Sequence, residues 1–252
     1  MKSQFTATLA LVFAAACTSD SQVRAALKKN PEILFEAIEA NPEKFMEAVN
    51  KAARKAQAGE RERQMAEMRA EQERDLKNPK QPKLSPDRRL SGTDDGKIVV
   101  VEYADFQCPA CAMAHRSLKD FIAKRPGQVQ FYYKHMPLNF HPMAMPAALH
   151  FEAIRLQDKA KAAKFYDLVF ENQRSLSEVS LKKAAQQAGA DMKKLAADVQ
   201  SEKVREIVAE DMKEFEGFGF TGTPVVLVNG VAMQGAQPIE ALERMAELTA
   251  KR

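Results

Sequence analysis

A chain of 252 residues with 45% hydrophobic and 29% charged content has room for one sizeable domain and an appendage. Its net charge of +4, without a run of like charges or basic–aromatic interleaving, gives no footing for nucleic-acid binding.

Behind Lys2, residues 5–16 form a mostly apolar stretch of twelve, too short to span a bilayer, that ends in Ala14-Ala15-Ala16. It reads as an export signal, residues 1–17, with a lipobox-like end. In lipoprotein processing the thiol of Cys17 receives a diacylglyceryl group and Cys17 becomes the mature N-terminus. Ala14 stands where that pattern most often has Leu, and plain A-x-A cleavage leaving Cys17 unlipidated is the alternative. An odd cysteine in an exported chain favours the first. The expectation is a protein of the periplasm or cell envelope, held to a membrane by a lipid.

Residues 18–76 are expected to form a helical extension. After a short polar tether, "NPEILFEAIEA" and "NPEKFMEAVNK" repeat one pattern. Asn30 and Asn41 suit helix N-caps, Pro31 and Pro42 the first helical position, and Glu32 and Glu43 the positive end of the dipole. Two proline starts imply two helices or one sharp kink. In the second, Phe45, Val49, Ala52 and Ala56 fall on one stripe. Residues 60–76 are charged nearly all round and read as a solvated spacer. The apolar face of residues 33–56 is too small to fold alone and too apolar for water. It docks on the chain's own main domain or on a second copy, and the spacer with the Pro/Lys-rich linker, residues 77–89, favours the homo-oligomer.

From residue 90 the pattern changes. "KIVVVEY" is a near-continuous apolar, β-branched run typical of a buried strand. A helix-length segment from Cys108 to about Lys124 and the strand "VQFYYKHMP" complete a β-α-β unit, so the strands should be parallel. Residues 142–216 read as several helices, including "PMAMPAALHFEAIRLQ" and one beginning near Ser201. "PVVLV" restores strand character, Asn229-Gly230 is a type I′ turn signal into "VAMQG", and an amphipathic helix closes the chain.

The chemistry lies in "DFQCPACAMAH". A Cys-x-x-Cys serves as half a zinc site, a structural disulfide or a redox pair. A disulfide across two residues staples almost nothing. Zinc needs two more ligands, and the nearest histidines, His135 and His141, read as the end of a strand and the start of a helix. Cys108 sits at a strand-to-helix junction, facing the unpaired N–H groups of the first turn, which stabilise a thiolate. Cys111, one turn on and more buried, would resolve a mixed disulfide formed by Cys108. His115, a further turn along, reads as a helix-surface residue. Met136, Phe140, Met143 and Met145 either line an adaptable peptide groove or, for at least two of them, belong to the core.

A second element, "GFGFTGTPVVLVNG", lies more than a hundred residues away. With "VVVEYADFQCPAC", a helical insertion and a C-terminal helix, residues 90–252 resemble the thioredoxin superfamily, and within it the DsbA-like thiol–disulfide oxidoreductases. The resemblance implies an α/β thioredoxin fold with a helical insertion. It implies that Pro224 is cis and opposite the cysteine pair, with Thr223 offering its backbone to an extended substrate. It also places Glu102 where the family keeps a buried acid, whose raised pKa would let it relay the proton of Cys111; the alternative is a strand-edge glutamate facing water. No metal or organic cofactor is implied. The partners would be unfolded or misoxidised exported proteins and a membrane redox protein. Two departures bear on direction. Ala110 replaces the His that oxidising members usually carry, and Thr223 is commoner among isomerases and reductases. The function expected is therefore disulfide exchange leaning to isomerase or reductase, with a disulfide-forming oxidase as the alternative. A partner-binding lipoprotein that uses the domain as mere scaffold is the reading of another class.

Overall fold

A strand buried on both faces must be apolar almost throughout, and the run after Lys97 forms such a strand. The computed structural model describes residues 20–250; the expected export signal and Cys17 lie outside the described residues. Strand β1 (Arg89–Gly92) is followed by β2 (Ile98–Ala104) and β3 (Val129–His135), and later by β4 (Val225–Val228) and β5 (Val231–Gln234). They form one five-stranded sheet in the order β1-β3-β2-β4-β5. β2 and β3 are parallel, joined by helix α4 (Pro109–Ala123), and the other three pairings are antiparallel. Successive side chains of β2 alternate between faces. Val100 and Ala104 enter a large core beneath the helices, while Val101 and Tyr103 enter a second cluster with Phe215, Phe220 and Leu227. Glu102 shares the parity of Val100 and Ala104, so its carboxyl points into the larger core.

The insertion comprises α5 (Ala144–Arg155), α6 (Lys159–Glu171), α7 (Glu178–Ala188), α8 (Met192–Asp198) and α9 (Glu202–Gly217), with a one-turn 3-10 helix Gln173–Ser175 after α6. Local chemistry sets their ends. Asp158 and Asp191 accept N-terminal amides of α6 and α8, Ser177 and Ser180 form a capping box on α7, and Ser201 caps α9. Helix α10 (Ile239–Ala250) packs on α4 and β4.

Between β4 and β5 both turn residues have positive φ, 49° at Asn229 and 82° at Gly230, as a type I′ hairpin requires. Gly230 is needed for a second reason. A Cβ there would lie 2.5 Å from the Lys80 carbonyl, because residues 79–80 cross the turn and the Lys80 N–H donates to Gly230 O at 2.9 Å.

The chain divides into two units, Met1–Arg63 and Gln64–Arg252. In the first, the stretch read as a polar tether is helical from residue 20: α1 (Asp20–Lys29) precedes α2 (Glu32–Ala40). Pro31, not Asn30, stands at the N-cap of α2, one place later than the sequence pattern implied. Helix α3 (Pro42–Lys77) starts at the second proline and continues unbroken past Gly59. Ile33, Leu34, Phe35, Phe45, Met46 and Val49 are all exposed.

In the second unit, the spacer and linker are not free of the domain, which corrects the sequence reading. Asp75 is 5% exposed, accepting the Ala232 N–H at 2.9 Å and the Lys80 ammonium at 2.6 Å. It thereby satisfies a backbone donor on β5, the edge strand. Arg88 makes a bidentate pair with Asp211, both contacts at 2.7 Å, and reaches Glu152 at 3.2 Å. From Glu60 to Arg69 the charged residues are exposed, as a solvated spacer requires, whereas Asp75 and Arg88 engage buried partners supplied from far along the chain. Among the described residues no helix is long and apolar enough to cross a membrane.

Candidate active site

Cys108 is the N-cap of α4, with extended backbone (φ −73°, ψ 122°) and Pro109 at the first helical position, where the missing N–H costs nothing. The turn is pinned from three sides. The Cys108 N–H donates to Asp105 O at 3.1 Å, and the Gln173 amide donates to the Phe106 and Cys108 carbonyls at 2.9 and 2.8 Å. Phe106, 1% exposed, sits with its ring centroid 5.0 Å from those of both Tyr133 and Phe170.

The two thiols are free and sit in opposed environments. Cys108 is held down to about 5, first by the hydrogen bond from the Cys111 thiol, against the opposing effect of burial. The Cys111 and Ala110 backbone amides and Thr223 add to the lowering. The second thiol contributes more than the amides of the helix N-terminus. Cys111 is fully buried, and burial first, then the charge of Cys108 and of Glu102, pushes its thiol well above 9.0. One group is a thiolate near neutral pH, and its neighbour holds its proton.

The Thr223–Pro224 peptide bond is cis, and the Thr223 carbonyl accepts from the Cys108 thiol at 3.6 Å. Thr223 Oγ1 is buried and, among the described residues, makes no hydrogen bond while Cys108 is a thiol. A thiolate is the acceptor that this hydroxyl can serve.

Glu102 is fully buried in β2, and burial raises its carboxyl to about 8, against a lowering hydrogen bond from Tyr166. The alternative of a strand-edge glutamate facing water is therefore wrong. The Tyr166 hydroxyl donates to Oε2 at 2.5 Å, while Oε1 has no partner among the described residues. The carboxyl is thus fixed on one oxygen and open on the other.

Several contributors escaped the sequence reading. Tyr166 sits mid-α6 in a run that reads as plain core. Asp105, 1% exposed, accepts from Gln107 N–H at 2.7 Å and Leu138 N–H at 3.0 Å, and pairs with His141 Nδ1 at 2.6 Å. Its own N–H donates to Cys111 Sγ at 3.4 Å, so one residue ties the loop before α5 to the second cysteine. The only signal was an acid at the end of an apolar strand, three residues before Cys108.

His115 is not a surface residue. It is 3% exposed, its Nε2 lies 2.7 Å from an Asp167 carboxylate oxygen, and its ring stacks on Phe170. The reason is that α6 covers the face of α4 which sequence alone leaves to solvent. His135 pairs through Nε2 with Glu152 at 3.0 Å, and His141 through Nδ1 with Asp105 at 2.6 Å. Among the described residues no group of three or more His, Cys, Asp or Glu side chains is placed to hold a metal ion. Met136 and Met143 pack partly buried against the two cores, whereas Phe140 and Met145 are exposed.

Residues 84–247 match the thioredoxin family model. The chain is 32% identical over 171 residues to the Na(+)/H(+) antiporter NhaA 1 of Mycolicibacterium vanbaalenii, a match covering 65% of this chain and 27% of that protein. It therefore spans about a quarter of the antiporter's length. It is 32% identical over 152 residues to the probable disulfide bond formation protein D of Bacillus cereus, covering 55% of this chain and 68% of that one. Among solved structures, Proteus mirabilis ScsC in a transitional conformation superposes with a TM-score of 0.58 at 22% identity, over 92% of this chain and 95% of that one. The chain belongs to the thioredoxin family.

Proposed function

We propose that this protein exchanges disulfides with exported proteins in the cell envelope, through Cys108 and Cys111. The observation that carries the reading is the unequal placement of two adjacent free thiols: Cys108 at the N-cap of α4, 3.6 Å from the Thr223 carbonyl beside the cis Pro224, and Cys111 fully buried one turn on, with the first held down to about 5 and the second pushed well above 9.0. At pH 7 thiolate exceeds thiol at Cys108 by about a hundredfold, so attack needs no separate base.

The Cys108 thiolate attacks one sulfur of a client disulfide, breaking that bond and releasing a client thiolate. The Cys108–client bond then has two fates. The freed client thiolate can attack elsewhere in the client, which reshuffles its disulfides without net redox change. Otherwise Cys111 passes its proton to Glu102 and attacks Cys108, releasing the client as a dithiol and leaving a Cys108–Cys111 disulfide. The second route consumes reducing equivalents, which a membrane redox partner would restore. Thr223 and Pro224 hold the client backbone beside Cys108.

The lean toward isomerase or reductase rests on Ala110, which has no side-chain donor to stabilise the reduced thiolate. The oxidase reading has one observation in its favour. A nucleophile near 5 is already stabilised in its reduced form by other groups, and a stabilised reduced form makes a stronger oxidant. Export, lipidation at Cys17 and association through the exposed apolar residues of α2 and α3 complete the proposal. Purified protein, in a glutathione buffer, should refold a scrambled-disulfide substrate faster than it oxidises a reduced one. Its reduction potential should lie below the value of about −120 mV of DsbA. A potential near that value with no activity on the scrambled substrate would make it an oxidase; no activity on either substrate, nor in insulin reduction, would leave a scaffold.

A further inference from the structure

A groove of about 870 Å3 opens beside the reactive turn, with Pro109, Met113 and Arg116 on its α4 wall and Phe170, Gln173 and Arg174 on the other. Pro109 is the residue after Cys108, so a chain whose cysteine meets Cys108 has this groove as an adjoining path. Gln173 makes the wall rigid toward the reactive turn through its two bonds to the Phe106 and Cys108 carbonyls. Met113, 56% exposed, offers an apolar ledge.

The charge of the groove is one-sided. Glu171, its carboxylate, is engaged by Lys119 at 3.0 Å. Arg116 and Arg174 are exposed and have no ion-pair or side-chain hydrogen-bond partner among the described residues. Two unpaired guanidinium groups therefore flank a path that begins at the positive end of α4, and both match carboxylates in geometry as well as sign.

We propose that this groove receives the segment adjoining the client's reacting cysteine and favours segments that carry acidic residues. The inference rests on the thiol–disulfide reading above and adds to it the charge of the client. Each exposed pair adds little to affinity, but attraction by two cationic groups at the mouth of a reaction site raises the encounter rate and makes it salt-dependent.

The test uses short peptides identical except for acidic, neutral or basic residues around one cysteine, blocked as its 2-pyridyl disulfide. The Cys108 thiolate attacks the peptide sulfur and the bond to 2-thiopyridine breaks, releasing 2-thiopyridone, whose absorbance reports the rate. Cys111 then closes the disulfide with Cys108 and frees the peptide thiol. At low salt the acidic peptide should react about tenfold faster than the basic one, and the gap should narrow at high salt. The Arg116→Ser/Arg174→Ser variant should lose the preference. Lys193→Ser/Lys194→Ser, which removes the same charge from α8 outside the groove, should keep it. A second arm measures binding alone, with Cys108→Ser/Cys111→Ser protein and fluorescent peptides whose cysteine is serine. The same acidic preference should appear and vanish with the two arginines. Equal behaviour of acidic and basic peptides in both arms, or a preference that survives loss of both arginines, overturns the groove. Arginine-dependent binding with no reaction of any peptide would uphold the groove and overturn the redox reading instead.

Discussion

Tyr166→Phe removes one oxygen from the interior and leaves the ring packing intact, so it isolates what that hydroxyl does for Glu102. Its bond to Oε2 is 2.5 Å long, and both residues are buried. A hydrogen bond to a buried charged group is worth about 1.5–3 kcal/mol, which corresponds to roughly one to two pH units. The bond favours the carboxylate, so its loss must move Glu102 upward from about 8. The sign for the reaction follows. Cys111 holds its proton well above pH 9.0, so the resolving step below that pH depends on the carboxylate form of Glu102. In the native protein about a tenth of Glu102 is carboxylate at pH 7; in the variant the fraction falls by roughly another 10- to 100-fold. The assay is stopped flow from a preformed Cys108–peptide mixed disulfide, following peptide release from pH 6 to 10. The native rate should rise with an inflection near 8, and the variant's inflection should lie one to two units higher, with the rates converging at alkaline pH. Glu102→Gln should abolish the inflection altogether. A uniform slowing of Tyr166→Phe with its inflection unmoved would mean that the hydroxyl only braces the fold, and Glu102 would then not be the base it positions.

Cys111→Ser should accumulate Cys108–client mixed disulfides, visible as reducible adducts on gels, whereas Cys108→Ser should accumulate none; adducts through Cys111 would reverse the roles. Arg88→Met leaves the Asp211 and Glu152 carboxylates buried without their shared cation, and should destabilise the protein by about 3–5 kcal/mol in denaturant unfolding. A near-neutral result would show that Arg155, Lys134 and His135 compensate for it. Removing residues 18–63 should leave a folded, redox-active domain, while light scattering should find the longer mature chain as an oligomer and the truncated one as a monomer; a monomeric longer chain would remove the case for self-association through α2 and α3.

What could be read in the sequence divides along physical lines. Strands β2, β3 and β4 announce themselves because burial on both faces demands an unbroken apolar run. The turn at Asn229-Gly230 does so because few residues accept two positive φ values. Strand β1 had no such signal: "RLSG" is four residues long and owes its strand form to pairing with β3. Glu102 stood out as an acid within a buried run. Its partner did not, because Tyr166 is 64 residues away and reads as one more aromatic in an apolar helix. His115 was misread for the same reason, since nothing in α4 states that α6 covers it. Charged residues were the least legible. Asp75, Lys80 and Arg88 look like solvated linker positions until their partners at Ala232, Glu71 and Asp211 come into place. A local pattern reports periodicity and turn chemistry, and it is silent on which distant surface arrives to cover it.

That silence matters for how the two sulfurs come to differ. The dipeptide between them is Pro109-Ala110, which has no titratable group, so the asymmetry has to be imported. The Cys111 thiol donates to Cys108, the start of α4 supplies amides, and the Thr223–Pro224 turn brings up a carbonyl and a hydroxyl from more than a hundred residues on. Cys111, by contrast, is driven up chiefly by what is withheld: no water reaches it, and the neighbouring Glu102 adds like charge. The charge of the buried acid therefore raises the buried thiol, and one charge is cheaper than two in the same dry space. The coupling has a direct consequence for Ala110. A donor placed there would act on the Cys108 thiolate and lower it further, but in the mixed disulfide, where Cys108 carries no charge, it would leave Cys111 and Glu102 as they are. Ala110→His should thus raise the reduction potential while the inflection of the resolving step stays where Glu102 puts it, and a shift of both together would mean that the two halves of the site are not separable.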